Sequence, residues 1–406
     1  MRIVEINAFE NGSTGKIMMS IANHARKLGH KVDTFSTIVF STTGPAPKAA
    51  NIDHYYFSSY PENMIHYVLA QLTDGNGLFS TFATIRLIRK LEKIKPDILQ
   101  LHNLHEFCIN VPLLFKYINR NKINTVWTFH DCWAFTGHCM HFDNAKCEKW
   151  VNGCGNCPQK YVNPRSRVDF SARMWKKKRK VLSNTKTLTI VTPSEWLAEL
   201  TQRSFFHKRD IQVINNGINT SIFSPRSSDF RDKYNLDSKH IVLGVASDWT
   251  YLKGIDIFIK LSKELDESFA VVLVGVSPGV ELPVSVIGIN RTSSQNELAE
   301  IYSSADIFVN PTREDTFPTV NIEALACGTP VITFRTGGSP EIISEECGMV
   351  VDKDDYDALK SGIIEICEGR LFNRDKCVEH AWQYTSEKCT TEYISLYEKM
   401  IEGTSK

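Results

Sequence analysis

Asn310-Pro311-Thr312-Arg313-Glu314-Asp315-Thr316-Phe317-Pro318-Thr319-Val320-Asn321-Ile322-Glu323-Ala324-Leu325-Ala326-Cys327-Gly328-Thr329-Pro330 is the stretch that decides how this chain folds. The apolar run over 306–310 has the length of a strand, and the segment from about Phe317 has the pattern of a helix. A strand that feeds a helix in this way puts their connecting loop at the strand's carboxyl end, where the first amides of the helix attract anions. Asp315 lies on the loop and Glu323 eight positions later, about a turn and a half into the helix. Two acids so placed can grip different parts of one ligand. Acids also decorate helix starts for purely local reasons, and spacing alone leaves both explanations open.

Working outward, apolar runs of strand length alternate with amphipathic stretches of helix length, the pattern of βα units around parallel sheets. Strands are expected over 3–9, 31–36, 96–101, 125–129, 188–192 and 211–214, with a helix over 15–28. A second series follows at 241–246, 270–274, 284–287, 306–310, 330–334 and 349–351, and the chain is helical from 355, ending in a helix near 391–401. With 406 residues the chain exceeds what one core organises well. The expected fold class is therefore α/β, with two doubly wound, Rossmann-like lobes facing a cleft, because ligands on such sheets bind beyond the carboxyl strand ends. The expected boundaries are a first lobe over 1–217, a linker over 218–239 where apolar periodicity is weak, a second lobe over 240–385, and a C-terminal helix over 386–406 that packs back on the first lobe. A stretch from 132 to about 168, rich in turn residues and cysteine, interrupts the first series.

The composition, 42% hydrophobic and 23% charged, is that of a folded globular chain. A formal net charge of +1 offers no general field for nucleic acid, so no nucleic-acid partner is expected. The opening MRIVEINAF has no basic leader, and no apolar run nears the ~18 residues of a membrane span. A cytoplasmic location is expected, with peripheral attachment at the inner face of the cell membrane left open. In that compartment the 11 cysteines should be reduced.

The segment Asp315 to Pro330 resembles the signature of glycosyltransferase family 4, in which two acids eight positions apart are followed by Ala, a small residue, Cys-Gly, Thr-Pro and a strand. Asp315, with Glu314 just before it, holds the first place, where the family usually has Glu, and Glu323 holds the second. Gly337-Gly338-Ser339-Pro340-Glu341 after the next strand is also similar to that family. The resemblance implies a GT-B fold and a metal-independent transfer that retains anomeric configuration, with no cofactor needed for catalysis. It implies that Asp315 holds donor-sugar hydroxyls and Glu323 the nucleotide ribose. It further implies donor contacts from Arg313, Glu314, Phe317, Pro318, Thr319 and Val320. The first lobe then becomes the acceptor side and the second the nucleotide-sugar side.

Other positions fit the same family. Lys253-Gly254 follows a strand and opens a helix, where an ammonium can neutralise the donor diphosphate. The Arg that many members carry shortly before this Lys is absent; Asp248 stands five places upstream, and Arg291 or Arg313 is the candidate replacement. Gly12 and Gly15 in Asn11-Gly12-Ser13-Thr14-Gly15-Lys16 resemble the family's donor-side loop. Their spacing is too short for a P-loop, which excludes an NTPase, and a plain tight turn is the alternative. His130, at a strand end, matches a histidine that reaches the donor sugar in this family, while His102 and His105 are candidates for the acceptor side. A lone strand-end histidine is otherwise usually structural.

Cys139, Cys147, Cys154 and Cys157 could close a structural zinc site, with a set of reduced, partly buried thiols as the plainer alternative. The insertion resembles one found in a subgroup of family 4 enzymes from bacterial surface-polysaccharide clusters, including O-antigen and capsule loci. A lipid-linked glycan acceptor is the expected partner. The basic stretch 165–180, with Phe170 and Trp175, could then lie on an anionic leaflet, or be only a solvated helix face. A nucleotide-sugar epimerase on the same fold and a non-catalytic sugar-nucleotide-binding module are the competing functions.

Overall fold

The first sheet runs β1 (Arg2–Ile6), β2 (Lys31–Ser36), β3 (His54–Tyr56), β4 (Ile98–Leu101), β5 (Asn124–Thr128), β6 (Leu188–Thr192) and β7 (Asp210–Val213). The second runs β8 (His240–Val245), β9 (Phe269–Val274), β10 (Val286–Ile289), β11 (Ile307–Asn310), β12 (Val331–Phe334) and β13 (Gly348–Val351). This computed structural model describes residues 1–37, 53–369 and 371–404. The strand orders are β3-β2-β1-β4-β5-β6-β7 and β10-β9-β8-β11-β12-β13. The pairings are parallel throughout.

Helices cover both faces, so β4, β9, β11 and β12 are buried along their whole length and read as near-continuous apolar runs. Each order reverses once, between β1 and β4 in the first sheet and between β8 and β11 in the second. At such a reversal the loops leave in opposite directions and open a crevice at the carboxyl ends of the strands.

The chain divides into two compact units, Met1–Ile214 with Thr390–Lys406, and Asn215–Cys389. In the first unit the helix Ser386–Thr404 carries Tyr393 and Tyr397, whose hydroxyls bond Thr128 Oγ1 at 2.9 Å and Gln100 Oε1 at 3.0 Å. The expected linker over 218–239 is corrected by the second unit. Ile218, Phe223, Phe230 and Leu236 are buried in its core, and Phe230–Tyr234 is a short helix. Few apolar residues at irregular spacing suffice here, because each enters the core singly, Phe223 edge-on to the Tyr302 ring, instead of forming a repeating face.

Candidate active site

The first unit's candidates gather where β1, β4 and β5 end. After β1 the chain turns into the helix Gly12–Lys27. Gly15 is required there, because a Cβ would stand 2.4 Å from the Glu10 carbonyl. Asn7, buried at the end of β1, holds the turn: its Nδ2 donates to Phe9 O at 2.9 Å and Thr14 Oγ1 at 3.1 Å, while its Oδ1 accepts from the amides of Ala8 and Asn103. One amide side chain thus ties the Gly12–Gly15 loop to the loop after β4.

Three histidines and Asp131 follow. His102 Nδ1 lies 3.1 Å from His130 Nε2, and His102 Nε2 lies 3.4 Å from Glu5 Oε2. Burial keeps both imidazoles neutral: His102 is pushed well below its ordinary value, and His130 down to about 4 even though part of its surface is exposed and Asp131 pulls the other way. His105 behaves oppositely. Burial disfavours its charge, yet Asp131 Oδ2 at 2.7 Å and Glu106 Oε1 at 3.2 Å outweigh that and raise it to about 10. Burial also works against the Asp131 charge, but His105 and the Trp133 amide hold its carboxyl at about 2. His130 and His102 are therefore neutral hydrogen-bonding groups, while His105 is a fixed cation.

In the second unit the candidates meet at the reversal between β8 and β11. Gly254 has φ +78, and a Cβ on it would lie 2.6 Å from Pro311 Cγ, so the loop after β8 can close on the loop after β11 only with glycine there. Arg313 N bonds Leu252 O at 2.8 Å across the same contact. The closure brings Lys253 Nζ to 2.8 Å from Asp315 Oδ2 and 3.4 Å from Thr312 Oγ1. The helix Thr319–Ala326 starts four residues after Asp315, and on it Glu323 Oε2 accepts from the Tyr302 hydroxyl at 3.2 Å. Burial, reinforced by Glu323, keeps that phenol protonated.

Phe317 and Pro318 are buried, Thr319 and Val320 partly so. Glu314 Oε1, Thr336 Oγ1 and Ser339 Oγ are buried without a hydrogen-bond partner among the described residues. The 336–339 segment lies against the acid loop, since Gly338 N bonds Thr316 O at 3.2 Å. Orphaned polar atoms in a native fold call for an explanation, and a hydroxyl-rich ligand would supply partners.

Arg313, expected as a donor contact, is engaged within the second unit. Its side chain is 4% exposed and lies over the Tyr251 ring at 3.8 Å, pairing with Asp256 at 2.8 Å and Asp354 at 2.6 Å. Two acids hold its charge in a buried place, whereas Lys253, paired with Asp315, is 38% exposed at this strand end. Replacing Arg313 by alanine is expected to cost about 2 kcal/mol, less than a fully buried pair because both aspartates are half exposed. Urea unfolding checks the loss, and donor affinity should change less than threefold in the folded fraction.

Cys139, Cys147, Cys154 and Cys157, expected as zinc ligands, form no disulfide. Among the described residues no group of three or more His, Cys, Asp or Glu side chains is arranged to hold a metal ion. The thiols have other partners: Cys139 and Cys157 bond each other, Cys154 Sγ accepts the Gly137 amide at 3.2 Å, and Cys147 packs against the first unit's core. In the helix Ser171–Leu182, Lys176 and Lys180 are exposed and Lys177 partly so, but Lys178 is buried. Its ammonium donates to Trp133 O at 2.7 Å and Thr136 O at 3.1 Å over the Trp133 ring, and burial lowers its pKa to about 7.

Sequence reasoning placed His130, Lys253, Asp315 and Glu323 at strand ends and helix starts, but missed Glu5, Asn7 and Tyr302. An acid inside the apolar strand at the chain's start was the available signal for Glu5.

Comparison with known proteins adds the family. Residues 14–222 match the family model described as Glycosyltransferase Family 4, and residues 227–383 that described as Glycosyl transferases group 1. WcaC of Escherichia coli K12, named as a colanic acid biosynthesis glycosyl transferase, is 22% identical over 75% of this chain and 77% of its own. Several further curated relatives are matched over about half of their own length. Among solved structures, sucrose-phosphate synthase of Thermosynechococcus elongatus superposes with a TM-score of 0.69 at 17% identity, covering 99% of both chains. HepE of Anabaena in complex with UDP-glucose gives 0.64 at 13% identity, covering 100% of this chain and 99% of its own. These likenesses carry the GT-B fold, the first family model spans just over half of the sequence, and the chain belongs to glycosyltransferase family 4.

Proposed function

We propose that this glycosyltransferase moves a sugar from a nucleotide-sugar donor to a lipid-linked glycan of a bacterial surface polysaccharide, with retention at the anomeric carbon. The observation that carries it is the Lys253–Asp315 pair, 2.8 Å apart at the mouth of the helix Thr319–Ala326. An ammonium and helix amides at one point suit a diphosphate, and an acid beside them suits sugar hydroxyls. As the acceptor oxygen bonds to the anomeric carbon, the bond to the diphosphate oxygen breaks, and the acceptor proton passes to the leaving phosphate. Lys253 and the helix dipole offset the charge that develops there. Likeness to WcaC over most of the chain supports the polysaccharide acceptor, and the UDP-glucose bound by HepE supports the donor class.

Thermal-shift screening of nucleotide-sugars tests the donor: a true ligand at about 100 times its dissociation constant adds about 2.7 kcal/mol. Donor consumption that needs no acceptor would favour an epimerase, and binding without turnover a non-catalytic module.

Peripheral contact with the membrane is part of the same proposal. Among the described residues no helix is long and apolar enough to cross a membrane. The helix Tyr60–Thr73 exposes Ile65, Val68 and Leu72 at helical spacing, and its Gln71 carbonyl accepts from Arg167 N and Ser166 Oγ, which brings exposed Arg165 and Arg167 alongside. Each cation near an anionic leaflet contributes about 1 kcal/mol and is screened by salt. Sedimentation with anionic vesicles should occur at low salt, and neutralising Lys176, Lys177 and Lys180 together should weaken it severalfold while transfer to a short soluble acceptor is unchanged. Wild-type protein that ignores such vesicles at low salt would overturn the membrane contact.

A further inference from the structure

Glu5 sits in the middle of β1, in a strand whose other residues from Ile3 onward are buried and apolar. It is 0% exposed. Its Oε2 faces His102 Nε2 at 3.4 Å, and His102 Nδ1 faces His130 Nε2 at 3.1 Å, so three side chains on three adjacent strand ends form one line. The His102 and His130 rings are 14° from parallel. Further bonds pin His102: its amide donates to Ile6 O at 2.9 Å and its carbonyl accepts from Trp127 Nε1 at 2.8 Å. The backbone is thus fixed, and the imidazole, 0% exposed, is enclosed by its surroundings.

Each of the two contacts needs one proton. A neutral imidazole has one N–H and one lone pair, so whichever nitrogen of His102 donates, the other must accept. Among the described residues Glu5 Oε1 has no hydrogen-bond partner. A carboxyl proton on Oε1 would thus be an orphaned buried donor, which costs more than an under-used acceptor, whereas on Oε2 it points at His102 Nε2. An ionised Glu5 would instead leave a charge in an apolar strand, with Arg26 the opposing cation, and burial drives its pKa well above the ordinary carboxyl value.

We infer that Glu5 is a positioning residue, a neutral acid that donates through Oε2 to His102 Nε2, so that His102 donates through Nδ1 to His130 Nε2. His130 then carries its own proton on Nδ1. In this tautomer its Nε2 lone pair is already engaged, so it does not act as a general base. The significance for catalysis rests on the proposal that His130 meets the donor sugar. The tautomer does not.

Ring NMR of isotope-labelled histidine in the full chain tests this without substrate. Wild type should show His130 as the Nδ1–H tautomer at neutral pH, and infrared difference spectra against Glu5→Gln should show the carbonyl stretch of a protonated carboxyl at position 5. Glu5→Gln, whose carboxamide N–H can donate to His102 Nε2, should keep the tautomer. Glu5→Leu removes the donor and should leave His130 a mixture of tautomers, with kcat down about tenfold. An Nε2–H tautomer in wild type, a carboxylate at position 5, or an unchanged tautomer in Glu5→Leu would each overturn the inference. Should Glu5→Leu fail to fold, the wild-type and Glu5→Gln spectra decide. Full activity in His130→Ala would instead remove His130 from the reaction and leave the tautomer assignment standing.

Discussion

Lys253→Ala is expected to lower turnover about a hundredfold to a thousandfold, the loss typical when one preorganised group facing developing charge is removed. In the resting protein the ammonium pairs with Asp315 at 2.8 Å, and both side chains are partly exposed, at 38% and 22%. An exposed pair of this kind contributes at most about 1 kcal/mol to folding, so the variant should unfold at nearly the wild-type urea concentration. The separation of the two effects is the test. The charge matters most when negative charge grows on the leaving diphosphate, so kcat should fall further than donor affinity. Normal kcat in the variant would move the role to another cation.

The second large effect is expected at Glu323. If its carboxylate accepts hydrogen bonds from a ribose, that contact exists in ground state and transition state alike, so Glu323→Ala should weaken nucleoside diphosphate binding about tenfold to a hundredfold, at about 1.5–3 kcal/mol for bonds to a charged group. Titration calorimetry with the nucleotide alone reads this directly. Tyr302→Phe removes the hydroxyl that holds Glu323 at 3.2 Å and should produce a smaller loss in the same direction. Unchanged affinity in Glu323→Ala would remove the ribose role.

What could be read from the sequence was what is local along it. Asp315 and Glu323 lie on one loop and the helix it feeds, and Lys253 is delivered by a glycine that the turn requires, so neighbours in sequence suffice to place them. The ion pairs of Arg313 were not legible because its partners come from afar: Asp256 is 57 positions away and Asp354 41, and nothing near Arg313 announces them. Lys178 is a different case. Met174, Lys178 and Leu182 follow one another at intervals of four on a helix, so the lysine stands on the buried face, a periodicity that a count of basic residues conceals. The thiols of the insertion suggest a metal through Cys-x2-Cys spacing, and spacing does not report how the intervening turns orient each sulfur.

The return of the helix Ser386–Thr404 to the first unit has a consequence for how the protein is made. Gln100 and Thr128 are fully or nearly fully buried beneath Tyr397 and Tyr393, partners that follow 297 and 265 positions later. On the ribosome the first sheet emerges long before those tyrosines, and the whole of Asn215–Cys389 is translated in between. Contacts of such sequence separation are slow to form, and domains otherwise fold in the order they are synthesised. The nascent first sheet must wait with two polar side chains uncovered, so the segment that encodes the second unit also sets the interval before the first can finish folding.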